Sequence, residues 1–146
     1  MPAWLPLLHA ILAAAWLGCV LTEVAFERLL LAQGAALHPL LGRLHRRVDL
    51  AIELPLLAGV AVSGALMLAM RGGAVDHLLA AKIVIGLIVI AAHLWCIRLV
   101  LRRSAQALAG DAAGFAASDR AQHRWGTVVL LGLLAALVIA LLRGGE

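Results

Sequence analysis

The segment HLLAAKIVIGLIVIAAHLWCIRLVL, His77 to Leu101, stays apolar for longer than the ~20 residues a helix needs to cross the hydrocarbon core of a bilayer. Two basic side chains, Lys82 and His93, interrupt it eleven residues apart. At ~100° per residue they differ by only about 20° in direction, so both occupy one face of the helix. An ionisable group set inside a membrane span marks a candidate functional site.

Working outward, three more runs reach the same length: residues 4–31, 48–70 and 125–142. Hydrophobic residues make up 64% of the 146-residue chain and charged residues 14%, with a mean hydropathy of +1.04. Those values lie outside the soluble range and define an integral membrane protein. The expectation is an all-α, polytopic protein: a single domain over residues 1–146, with four transmembrane helices in one bundle. The first run lacks the basic flank of a secretory signal and is too long for a signal core, so it reads as a retained helix. Gln33 to Gly42, Arg71 to Asp76 and Ser104 to Ser118 read as connections, the last with room for a short interfacial helix.

Arginine placement sets the expected orientation. Arg43, Arg46 and Arg47 lie between spans one and two, and Arg102, Arg103, Arg120 and Arg124 between spans three and four. The other side carries Arg71 and Arg143. The positive-inside rule then puts both long loops in the cytoplasm and both termini outside. The net charge of +4 comes from this rim, which suits anionic lipid or carboxylate ligands and not nucleic acid. Cys19 and Cys96 fall in spans one and three, form no C-x-x-C pair, and read as packing residues.

Polar residues inside the spans align. His9, Trp16, Glu23 and Glu27 are spaced by 7, 7 and 4 residues, which keeps them within about 40° on a helix. Asp49, Glu53, Ser63 and Met67 fall within about 80° on the second span by the same arithmetic. Three helices therefore each present one polar seam to a shared interior, and the fourth, uniformly apolar from Val128 to Leu142, reads as a packing wall. At ~1.5 Å per residue His9 and Lys82 share an outer level, whereas Glu23, Glu27, Glu53 and His93 form a second, acidic layer in the other half.

On these residues the chain resembles the HemJ-type protoporphyrinogen oxidases, small four-helix membrane proteins grouped with the CopD copper-resistance domain. Leu8-His9 followed by Trp16-Leu17-Gly18 is similar to the family's first-span pattern. Arg46-Arg47 through Pro55 to Gly64-Ala65-Leu66 resembles its second, and Lys82 with His93 its third. The chain departs from the family at Val20-Leu21-Thr22-Glu23 and at Arg124 to Val128.

The resemblance implies haem b as cofactor, with His9 and Lys82 required for activity. It also implies oxidation of protoporphyrinogen IX with electrons passed to quinone, in a bacterial-type inner membrane. A neutral imidazole is a natural haem-iron ligand. His9 and His93 stand ~15 Å apart in depth, too far to share one iron, which leaves Lys82, Met67, Met70 or an open position opposite His9. His93 is a further cofactor-binding candidate in its own layer, and Arg46 and Arg47 are candidate clamps for propionates.

Each residue has a plainer reading. Lys82 serves as a snorkelling anchor, Met67 and Met70 as packing, and the basic clusters as topology signals. Glu23, Glu27 and Glu53 serve as hydrogen-bonding glue, as a proton relay, as metal ligands, or as partners of Arg28 or Arg98. Two other functions stay open: a CopD-like copper- or metal-handling transporter, and a non-catalytic subunit that contributes helices to a complex. A homo-oligomer is compatible with all three.

Overall fold

The structure is a computed structural model that describes residues 1–144. The described residues form helices joined by short turns: α1 (Trp4–Ala32), α2 (His38–Val48), α3 (Leu54–Ala69), α4 (His77–Leu108) and α5 (Ala112–Gly144). A short 3-10 turn, Ala35–Leu37, precedes α2, and a single π-helical segment, Asp49–Glu53, joins α2 to α3. α2, the π segment and α3 thus act as one long rod. With α1, α4 and α5 it gives four helices long and apolar enough to cross a membrane, packed against one another.

Three of the expected boundaries move, the helix of the third span running on to Leu108 instead of ending at residue 101. The second span begins at the turn before His38 instead of at residue 48, and the fourth begins at Ala112 instead of at residue 125. The stretch Ser104 to Ser118 is consequently not a loop. Its alanines are strong helix formers and continue α4 to Leu108 and start α5 at Ala112. The reversal is confined to Ala109–Asp111. Gly110 takes φ +71 there, a conformation that side chains with a Cβ resist, and the Asp111 carboxylate accepts from the Gly114 amide. Gly34, with φ +94, plays the same part after α1. Asp76 caps α4 by accepting from the Leu79 amide at 2.9 Å, and Pro39 and Pro55 sit in the first turns of α2 and α3.

Lipid supplies no hydrophobic drive for helix pairing, so close backbone approach at small residues carries the packing. A Cβ at Gly59 of α3 would meet Leu12 of α1 at 3.0 Å. One at Gly42 of α2 would meet the Ser104 backbone of α4 at 3.0 Å, and one at Gly132 of α5 would run into the Val89 side chain of α4. Trp16, Val20, Leu57, Val89, Ala92, Cys96 and Val129 form the apolar centre. Ile11, Val62, Leu87, Leu131 and Leu141 point outward, as a lipid-facing surface requires.

Candidate functional site

Two polar sites occupy opposite halves of the bundle. The first lies between α1 and α3, near the end that carries the N-terminus. His9 Nδ1 is 2.9 Å from Ser63 Oγ, and Ser63 donates its only hydroxyl hydrogen to the Gly59 carbonyl at 2.6 Å. Ser63 can therefore only accept from His9, which puts the proton of a neutral ring on Nδ1 and leaves Nε2 as a lone-pair donor. The Val60 carbonyl lies beside the same ring. Gly64 makes the fit possible, because a Cβ there would stand 3.2 Å from His9 Cε1. Lys82 of α4 lies near enough to act on His9 electrostatically. Both are half-buried, as is Met67, one turn beyond Ser63 on α3.

The second site fills the half nearer the α1–α2 and α4–α5 turns. Arg103 of α4, read from sequence as part of a solvated rim, is fully buried. Its Nη1 donates to Glu27 of α1 and to Asp119 of α5, each at 2.5 Å, and its Nη2 lies 2.6 Å from His45 Nδ1 of α2. Gln122 of α5 reaches the same imidazole nitrogen at 3.2 Å. One guanidinium thus ties four helices together. Phe115 lies under it, 5.6 Å from ring centroid to Cζ, and Phe26 meets His45 edge-on at 4.8 Å. The expected partners of Glu27, Arg28 and Arg98, are both exposed, and Arg103 takes that place.

Above this network, toward the middle of the bundle, Asp49 and Glu53 flank the π segment and face His93 of α4. All three are buried. Glu53 Oε2 and His93 Nε2 approach to 3.0 Å without the alignment of a hydrogen bond. Trp16 packs edge-on against the His93 ring, with centroids 5.2 Å apart. A cavity of about 150 Å³ runs from this cluster past Glu23 and Glu27 to His123 and Arg28, both of which reach the exterior. π segments interrupt the regular hydrogen-bond ladder and recur at functional sites.

The structure brings together Glu23, Glu27, Glu53 and His93 in one layer, as their seams implied, and keeps His93 apart from His9. It adds Arg103, Asp119 and Gln122, which the sequence reading left outside the interior, and draws in His45, which that reading put at the edge of the acidic layer. The signal for Arg103 was present: ten residues beyond His93, it lies within ~80° of that seam once α4 is allowed to continue. Asp119 and Gln122 share a face at three-residue spacing, but the expected loop covered them.

Arg46 and Arg47 do not join either site. They are exposed and line an outer groove with Arg43, Leu50 and Ala51, some 25 Å along the helix from the level of Ser63 at ~1.5 Å per residue. A clamp on a cofactor held at His9 is out of their reach.

Compared with known proteins, the chain matches no family model, no curated protein and no solved structure.

Proposed function

We propose that the protein is a haem-binding membrane oxidoreductase of the HemJ kind, holding the iron porphyrin at His9. The reading rests on the Ser63 hydroxyl, which leaves His9 Nε2 free and fixes the ring through Nδ1. Metal-ligating histidines characteristically have their second nitrogen tied down in this way. Bound there, the haem would supply one-electron redox chemistry.

The chain's own residues do the rest. His9 would hold the iron through Nε2, Ser63 and Gly64 orient its ring, and Lys82 would hold a proton or a carboxylate at Nζ nearby. Oxidation of a porphyrinogen to the porphyrin would release six electrons and six protons, and three quinones in succession would each take up two of both to become quinols. The exposed apolar surface around Leu8, Ile11 and Leu66 suits two substrates dissolved in lipid. The exposed arginines at the α2 and α4–α5 end support an orientation with that end in the cytoplasm and both termini outside, in a bacterial-type inner membrane.

The test is the visible spectrum of protein purified from haem-sufficient cells. A Soret band present in wild type and lost in His9→Ala is the expected result. A featureless wild-type spectrum, or a band that His9→Ala leaves unchanged, overturns the reading.

A further inference from the structure

The buried layer has more negative charge than its own cation can balance. Glu23, Glu27, Asp49, Glu53 and Asp119 supply five carboxylates among the described residues, and Arg103 is the guanidinium buried with them. Glu27 and Asp119 are satisfied by Arg103. Asp49 and Glu53 have no such cation. An isolated buried carboxylate costs several kcal/mol unless a counter-charge or a proton meets it.

The atoms that remain unpaired point at one another. Asp49 Oδ2, both oxygens of Glu53 and His93 Nε2 are buried with no hydrogen-bond partner. One donor atom from each residue lies within 4.8 Å of the other two. The residues carrying them are 3%, 0% and 4% exposed, and all three line the 150 Å³ cavity. Four-coordinate zinc has bonds of ~2.0 Å to nitrogen and oxygen, which sets neighbouring donors ~3.3 Å apart. The 3.0 Å between Glu53 Oε2 and His93 Nε2 is close to that spacing and is poorly aligned for a hydrogen bond.

The geometry points to a divalent first-row metal-ion site formed by Asp49, Glu53 and His93, separate from the His9 site and independent of haem binding. Two carboxylates and an imidazole match Zn²⁺, Fe²⁺ or Mn²⁺, and their two negative charges neutralise a dication. Glu23, whose Oε1 is also buried and unpartnered on the same cavity wall, stands by as a further oxygen donor. The π segment sets Asp49 and Glu53 on one side of the rod, Trp16 holds the His93 ring, and the cavity they line is also lined by the exposed His123 and Arg28. The competing occupant is a proton shared between the two carboxyl groups.

The experiment uses the full chain without a polyhistidine tag, in detergent or nanodiscs, stripped with chelator and titrated with Zn²⁺ against a chromophoric competitor. Wild type is expected to bind one equivalent. Asp49→Asn and His93→Gln should each weaken binding by at least the ~10–100-fold that loss of an outer-shell partner costs. His9→Ala should bind as wild type does. Co²⁺ in place of Zn²⁺ should give a visible ligand-field spectrum that changes in His93→Gln. Where a single variant fails to fold, Glu53→Gln and the Zn²⁺-dependent rise in wild-type thermal midpoint carry the same test. No binding by wild type, or binding untouched by Asp49→Asn and His93→Gln, overturns the site and leaves the shared proton in its place.

Discussion

Arg103 on α4 donates to Glu27 on α1 across 76 positions of sequence, at 2.5 Å, with the arginine fully buried. The same guanidinium reaches Asp119 and His45, so its removal strands carboxylates on α1 and α5 and takes a donor from the neutral imidazole on α2. Breaking a buried ion pair from one side costs ~3–5 kcal/mol. Arg103→Ala should therefore lower the thermal midpoint sharply. Arg103→Lys should not restore it, because an ammonium lacks the planar fork that serves three partners. Unfolding followed by helical circular dichroism in detergent checks both.

The α2–α4 contact depends on Gly42, whose missing Cβ admits the Ser104 backbone. Gly42→Ala should destabilise by ~1–3 kcal/mol through overpacking. Gly86→Ala, which meets nothing within 4 Å, should be neutral or gain up to ~1 kcal/mol of helix propensity. The pair measured together separates crowding from propensity.

At the opposite end Asp76 hydrogen-bonds Arg143 and accepts from the Leu79 amide, which hold its carboxyl well below the ordinary carboxylate range. A lowered folded-state pKa adds stability above the ordinary value of 3.8 and loses it as pH falls through the folded value. The difference in thermal midpoint between wild type and Asp76→Asn should be constant near neutral pH and shrink below about pH 4. Because the group is exposed, a small difference is expected.

Ser63→Ala tests the orienting role of the hydroxyl. It leaves His9 in place and frees Nδ1, so haem affinity should fall ~10–100-fold while the Soret position is kept. Haem titration of the apoprotein reads the change.

Four apolar runs and three polar seams were legible because lipid makes hydrophobic length a direct record of span, and helical periodicity a record of inward faces. His9 with Ser63, and Glu53 with His93, follow from those seams. The angular signal of Arg103 was outweighed: an arginine just past an apolar run ordinarily signals a cytoplasmic edge, and its pairing with the carboxylates of α1 and α5 shows that it turns inward. The start of α5 was hidden because Ser, Asp, Gln and His among alanines resemble a loop until the polar interior that receives them is known. The π segment left no periodic trace, as one extra residue in a turn shifts the register without changing composition.

Haem content and porphyrinogen turnover measured side by side in wild type, His9→Ala and Lys82→Ala bear most directly on the redox role assigned to the outer site. His9→Ala should lose both, and Lys82→Ala should keep the haem and lose turnover. Full turnover in Lys82→Ala, or unchanged haem in His9→Ala, would contradict it.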